Sequence, residues 1–245
     1  METGNFGKVR EAYIAARQDF PQEVLEYIWK LIPVTRPTIL DLGCGTGIAT
    51  RQLAEHLEAS IIGCDVDQQM IEAAQEKPSA NTTYVTAPAD HLPFASDEFD
   101  TVTAFSAFHW FKDKKSLTEI QRVLKKDGTF FIINKNDVRG FRKGYKRKLA
   151  ELLGKTLSSP KDNYDPAMIL QQSGFVNVVT NVFFSRERFS LNDALRHIQS
   201  AAAWGEVPAN KEEEALELMR DHVVETMIDG QAIRELEIVV VSGSI

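Results

Sequence analysis

Apolar and polar blocks divide the first half of the chain into a regular series. Apolar runs closed by turn residues, TILDLG (38–43), SIIGCD (60–65), TTYVTA (82–87), FDTVTAF (99–105) and GTFFIIN (128–134), predict strands. Between them apolar positions fall at helical spacing, which predicts helices over about 48–58, 67–76 and 114–126. Strands alternating with helices imply parallel pairing through crossover helices. The strand runs are apolar at nearly every position, so helices are expected on both faces of an open sheet.

Past residue 135 the pattern changes. Phe141, Tyr145, Leu149 and Leu152 recur at helical spacing while Arg142, Lys143, Lys146 and Arg147 fall on the other side, the signature of an amphipathic helix with a basic face over 139–148. A further helix is expected from Pro166 at its first position, with Asp165 as N-cap and a stop at Gly174. Phe175–Phe184 reads as a strand. SLNDALRHIQSAAAW and a longer stretch after Asn210 read as helices, the second opening on Glu212, Glu213 and Glu214, where carboxylates suit the helix dipole. RELEIVVVSG closes the series as a strand.

Composition narrows the class. The chain has 245 residues, an ordinary size for one elaborated domain, with 43% hydrophobic and 26% charged residues. No apolar run reaches the roughly 20 residues of a membrane helix, and the N-terminal stretch has no apolar signal region, so a cytoplasmic protein without membrane partners is expected. The net charge of −7 weighs against a nucleic-acid binder, which needs clustered Lys and Arg. Cys44 and Cys64 have no companions at metal-ligand spacing and read as buried thiols, and no metal is expected. Oligomeric state leaves no mark in the sequence.

The chemistry begins at LDLGCGTG, where the first strand runs into the first helix. Gly43, Gly45 and Gly47 let the backbone turn tightly and approach a ligand, and the helix start offers N–H groups. Asp65 ends the second strand about 20 residues on, where a carboxylate accepts both hydroxyls of a ribose. A dinucleotide fingerprint needs a small residue at position 48, and this chain has Ile48, which favours a nucleoside ligand without a pyrophosphate.

DLGCGTG followed by GCD resembles the cofactor site of class I S-adenosylmethionine-dependent methyltransferases, strongly over about 33–134 and loosely through the final strands. The resemblance implies an α/β fold, Rossmann-like, with a seven-stranded, mostly parallel sheet, an antiparallel last strand and helical insertions covering the active site. It implies S-adenosyl-L-methionine as cofactor and a methyl acceptor as partner. Residues matching Asp65 hold the ribose, those matching Gly43, Cys44, Gly45 and Gly47 pass under the methionine part, and Asp41 helps position it. Val66 and Met70, after the second strand, belong to the same implied site, as do Phe105 and Ser106 at the end of the fourth. Relatives carry an aspartate where this chain has Pro88, which leaves Ala89 and Asp90 as the adenine-side candidates; Asp90 reads equally as a cap for the turn at Leu92-Pro93.

FSAFHWF (105–111) follows the fourth strand, beside the switch point where open α/β sheets bind ligands. Trp110 and Phe108 offer aromatic faces to a sulfonium cation, an attraction of roughly 0.5–2 kcal/mol. The HWF signature is similar to the trans-aconitate methyltransferase branch (methyltransferase type 11), and YIAARQDFP is similar to its Y-x-x-x-R-P-x-Y-P element, in which the matching stretch folds over the cofactor. Tyr13, Arg17 and Pro21 match; Gln18 and Phe20 depart. The implied organisation is a single domain: a helical lid over 1–32, a cofactor-binding core over 33–134, helical insertions at 135–164 and 185–230, and the rest of the sheet from 165–184 and 231–245.

Catalytic candidates are His109, Trp110, Tyr13 and Arg17. A carboxylate acceptor is ionised already and needs no base; an amine, hydroxyl or carbon acid needs one, and His109 is the nearest. A lone histidine is more often structural, and both readings stay open. Arg17 suits an anionic acceptor. His197, Ser200 and Trp204 line an acceptor pocket in one reading, with Trp204 as plain core in the other. The expectation is a small-molecule methyltransferase, possible on a carboxylate; methylation of RNA or protein, and binding of the cofactor without catalysis, are the alternatives.

Overall fold

Strand β1 (Thr38–Leu42) is the centre from which the rest is built: its residues from Ile39 on are buried, as a strand covered on both faces requires. It pairs in parallel with β2 (Ser60–Asp65) from Thr38↔Ser60 to Leu42↔Cys64, and with β4 (Phe99–Phe105) from Ile39↔Thr101 to Asp41↔Thr103. Beyond β2 lies β3 (Thr82–Thr86), also parallel, and β4 pairs in parallel with β5 (Leu124–Gly140). With β6 (Val176–Phe189), β7 (Met227–Ile228) and β8 (Gln231–Ser244) the sheet runs β3-β2-β1-β4-β5-β8-β6. The seven main strands are those expected, the last one antiparallel, and the two-residue β7 adds an eighth by pairing antiparallel with β8. The order reverses at β1/β4, which is the switch point.

The computed structural model describes residues 17–56, 58–157 and 164–245. These fall into two compact units, one of 19–56, 58–135, 164–183 and 238–245, the other of 17–18, 136–157 and 184–237. Tyr13 lies outside the described residues.

In the first unit, α1 (Gln22–Leu31), α2 (Ile48–His56), α3 (Gln68–Gln75), α4 (Lys114–Val123) and α6 (Pro166–Gln172) flank the strands; the label α5 belongs to Tyr145–Leu153. Their starts are written locally: Asp67 caps α3 through Gln69 N–H, Asp113 caps α4 through Lys115 and Ser116, and Asp165 caps α6 through Met168, with Pro166 at the first position as expected. Phe99, Phe108, Phe130, Leu124, Ile132 and Phe175 form the core, each large apolar side chain contributing about 1.5–3 kcal/mol.

Two boundaries around β5 differ from the sequence reading. The helix expected to 126 stops at Val123, because Leu124 is buried and pairs with Phe99 as the start of β5. The segment 135–140, expected in a helical insertion, is instead the end of β5, and α5 begins only at Tyr145. Gly140 and Gly144, with φ of 97° and 83°, break the helical pattern. Arg139 and Arg142 are therefore not on a helix.

The second unit contains α5, α7 (Leu191–Gln199) and α8 (Glu212–Glu225) around Phe141, Tyr145, Phe189, Leu195, Ile198, Trp204 and Met219. Ser190 caps α7 through the Asp193 N–H. The helix expected through Trp204 ends at Gln199, and a 3-10 turn over Ala202–Glu206 carries the tryptophan into the core.

Candidate active site

The glycine loop is tied to the end of β2 by its own backbone. Gly43 and Cys44 donate their N–H groups to the Cys64 carbonyl at 2.7 and 3.1 Å, and Gly47 donates to Cys44 O at 3.0 Å. Gly43, Gly45 and Gly47 all have left-handed φ, 73°, 54° and 72°. A Cβ at Gly43 would stand 2.5 Å from Ala107 Cβ, and one at Gly47 would stand 2.6 Å from Tyr84 Oη. Two of the three glycines are thus demanded by protein neighbours, beyond the ligand approach that the sequence suggested.

Asp65, at the carboxyl end of β2, accepts Gly45 N–H at 2.8 Å on one oxygen and Asp67 N–H at 3.0 Å on the other. Burial raises its pKa above the ordinary carboxylate value, and the Asp67 and Gly45 bonds restrain the rise. An ionised carboxylate has about four lone-pair sites, so two remain for the vicinal hydroxyls of a ribose. This donor–acceptor set fits an adenosyl cofactor. Val66 is exposed and Met70 is buried on α3, one on each side of the turn that follows.

Asp41 sits beneath the loop, fully buried. Thr50 Oγ1 donates to one of its oxygens at 2.6 Å and Thr103 Oγ1 to the other at 2.9 Å. Burial pushes its carboxyl up to about 6, and the two hydroxyls hold it from rising further. The side chain braces β1 to α2 and β4. Neither threonine stood out in the sequence, because the contact joins residues 9 and 62 apart. The two cysteines are free thiols; burial raises Cys44 and pushes Cys64 up to about 12, so neither is a nucleophile near neutral pH.

After β3, Ala89 is half-buried and Asp90 exposed. The turn at Leu92 is held from α4: Glu119 accepts the Leu92 N–H at 2.9 Å, and Arg122, paired with Glu119, donates to Leu92 O and Phe94 O. The Arg122 bond holds the Glu119 carboxyl down at about 2. Asp90 is not that turn's cap.

At the end of β4, Phe105 is buried and meets Phe20 edge-on at 4.8 Å. Gln52 on α2 clamps Phe20 by both main-chain groups, accepting its N–H at 2.8 Å and donating to its carbonyl at 3.0 Å. Lys135 places its ammonium 4.4 Å from the Phe20 ring centre and donates to Asp19 O at 3.1 Å. Ser106 holds a left-handed φ of 54° and gives its N–H to Ile133 O at 2.7 Å, a strained backbone position at a strand end.

The turn 107–111 packs on the loop through Ala107 and Phe111, the neighbours a Gly43 Cβ would strike. Phe108, expected to face a sulfonium, is fully buried among Phe111, Phe130 and Tyr164 and is a core residue. His109 is buried beside half-buried Trp110, ring centres 5.2 Å apart, and stands 6.1 Å from the Tyr164 ring. Tyr164 was not anticipated; it comes from a loop more than fifty residues away in sequence.

Arg17 belongs to the other unit. There His197 is packed between Phe141 and Phe189, accepts from Arg234 Nη1 at 3.2 Å, and gives its carbonyl to Ser200 Oγ. Trp204 is core, and no group of His, Cys, Asp and Glu among the described residues could hold a metal.

Residues 40–132 match the family model described as a methyltransferase domain. The chain is an S-adenosylmethionine-dependent methyltransferase. An uncharacterized methyltransferase of Schizosaccharomyces pombe is 28% identical over 218 residues, 88% of this methyltransferase and 85% of the relative. A malonyl-[acyl-carrier protein] O-methyltransferase of Herminiimonas arsenicoxydans is 32% identical over 111 residues, 44% of this chain and 42% of its own. The structure of a type II methyltransferase (so described, provisionally) from Anaeromyxobacter dehalogenans shares the fold with a TM-score of 0.69 at 19% identity, over 93% of this methyltransferase and 97% of that chain. The cofactor of this methyltransferase is S-adenosylmethionine. No described helix is long and apolar enough to cross a membrane.

Proposed function

We propose that this methyltransferase acts on a small-molecule acceptor, with a carboxylate as the group methylated, held at the carboxyl end of β4, where its pairing with β5 stops. The observation that carries the reading is the meeting of His109, Trp110 and Tyr164 on the turn that packs directly against the glycine loop. Bound there, the cofactor supplies an electrophilic methyl on a sulfonium. The protein's part is to aim the acceptor and exclude water, and good alignment is worth about 7–11 kcal/mol.

Two ammoniums stand at this end, Lys135 beside Phe20 and Lys112 at 5.4 Å from the Tyr164 ring centre, and they favour an anionic acceptor. A carboxylate, with an ordinary pKa of about 4, is ionised at neutral pH and needs no base. His109 then orients the acceptor, and would take a proton only from an amine or hydroxyl. Burial pushes the Tyr164 phenol well above its ordinary value, so it is a hydrogen-bond donor and not a base. Asp65 and the loop hold the cofactor, and the residues from Ala89 to Asp90 border its adenine. The relative named as an O-methyltransferase lends support to an oxygen acceptor.

The basic stretch 139–148 lends no support to an RNA substrate. Arg142 lies 3.7 Å from Asp137, and Arg147 and Lys148 pair with Glu151 and Glu225 at 3.0 and 2.9 Å, so much of its charge is already met.

The test is S-adenosylhomocysteine formation with carboxylic acids, amines and RNA, each at low and moderate salt. Turnover of an acid that changes little with salt is expected. Activity only on RNA, falling steeply with salt, would overturn the acceptor reading; cofactor binding with no turnover on any class would leave a binding protein in its place.

A further inference from the structure

Asn134 is the last residue of the GTFFIIN run and lies within β5 just past its last pair with β4, Phe105↔Ile133, between Ile133, whose carbonyl receives Ser106 N–H, and Lys135, whose N–H approaches Ser106 Oγ at 3.5 Å. It is 3% exposed. Its Nδ2 donates to Tyr164 Oη at 3.4 Å, and its Oδ1, equally buried, has no hydrogen-bond partner. A buried carbonyl without a donor costs about 1–3 kcal/mol, and native interiors contain few of them. An apolar residue of the same shape would avoid that cost. The amide is at odds with its own core, where Phe130 and Ile132 occupy the same face of the strand.

The Tyr164 hydroxyl accepts from Asn134, which leaves its proton to donate elsewhere. Side by side, the pair presents one acceptor, Asn134 Oδ1, and one donor, Tyr164 O–H, with His109 on the neighbouring turn. All belong to the unit that carries the glycine loop and Asp65.

We infer that Asn134 and Tyr164 form a specificity subsite that receives a hydroxyl or amino group of the acceptor molecule. The inference rests on the acceptor site proposed above at the carboxyl end of β4, where its pairing with β5 stops. The substituent's N–H or O–H donates to Asn134 Oδ1, and its lone pair accepts from Tyr164. The substrate class is then a carboxylic acid with a hydroxyl or amino group near the carboxylate. A site built to bond such a group rejects the analogue lacking it far more strongly than an apolar pocket rejects a missing methylene, since the buried polar atoms are again left unpaired.

The test uses the full chain with Asn134→Leu, Tyr164→Phe, and the probes butyrate, 3-hydroxybutyrate and 3-aminobutyrate, with S-adenosylhomocysteine affinity and thermal melting measured beside turnover. Expected for Asn134→Leu are a melting temperature equal to wild type or a few degrees higher, an unchanged affinity for S-adenosylhomocysteine, and a kcat/KM on the substituted acids lower by about tenfold or more. Tyr164→Phe should lose in the same direction by less. The wild type should prefer the substituted acids to butyrate. Melting of Asn134→Leu well below wild type would mean the amide is satisfied within the fold and would overturn the subsite, as would wild-type preference for butyrate. Failure of the acceptor reading itself looks different: wild type binds S-adenosylhomocysteine yet methylates none of the three acids, and the melting measurement still judges Asn134.

Discussion

The two units bury polar groups in opposite ways. Beneath the glycine loop, Asp41 is sealed in with two neutral threonine hydroxyls, and burial pushes its carboxyl up to about 6. In the helical unit, Arg234 is sealed in with two carboxylates: Asp137 bonds its Nε at 2.5 Å and Glu187 its Nη1 at 2.8 Å. Burial works against that guanidinium's charge, but Asp137 and Glu187 outweigh it and hold its pKa above the ordinary value. Since Arg234 can only donate, its bond to His197 fixes that ring with the proton on Nδ1. A charge met by charges stays charged; a charge met by hydroxyls becomes titratable close to neutral pH. The cofactor unit therefore holds a pH-sensitive carboxylate under its glycine loop, while the helical unit holds a guanidinium kept in its charged form.

The largest expected effect breaks the network. Arg234→Met leaves the buried Glu187 carboxylate without its guanidinium and the half-buried Asp137 with only the longer Arg142 contact, and should cost about 3–5 kcal/mol in chemical denaturation. Adding Glu187→Leu should restore part of the loss, and no restoration would mean the pairing is not what stabilises this core.

Asp41 sharpens the other half. Its folded pKa lies above the unfolded value of 3.8, so its favourable contribution is complete below about pH 4 and is lost as pH rises through about 6. Ionising it costs about 3 kcal/mol by neutral pH. Asp41→Asn should remove this slope, so that variant and wild type diverge between pH 4 and 7 in the variant's favour. Parallel stability profiles would contradict the assignment.

If Asp65 holds the ribose, Asp65→Ala removes charge-assisted bonds worth roughly 1.5–3 kcal/mol and should weaken S-adenosylhomocysteine binding by about tenfold or more in calorimetry. The smallest effect belongs to the surface: Arg147→Ala breaks an exposed pair with Glu151 and should shift stability by less than about 0.5 kcal/mol. A larger shift would show the basic stretch has a role its geometry does not suggest.

What the sequence made legible was local. The glycine loop, Asp65 at its spacing, and the caps at Asp165 and Pro166 are written within a few residues of where they act. What it hid was decided across distance. The spacing of Phe141, Tyr145 and Leu149 mimics a helix, yet Phe141 donates its N–H to Ile233 O, and a Cβ at Gly140 would collide with that same carbonyl at 1.8 Å. Phe108 reads like a sulfonium-facing aromatic beside His109 and Trp110, but Phe130 and Tyr164 enclose it. Asn134 reads as a strand end, and only its 30-residue reach to Tyr164 reveals an unmet carbonyl.

The most direct measurement is a crystal structure with S-adenosylhomocysteine bound. The account predicts both ribose hydroxyls on the Asp65 carboxylate, the methionine part along Gly43–Gly47, and the sulfur turned toward the His109–Trp110 turn. A nucleoside bound elsewhere, or an Asp65 that keeps only its Gly45 and Asp67 bonds with ligand present, would contradict it.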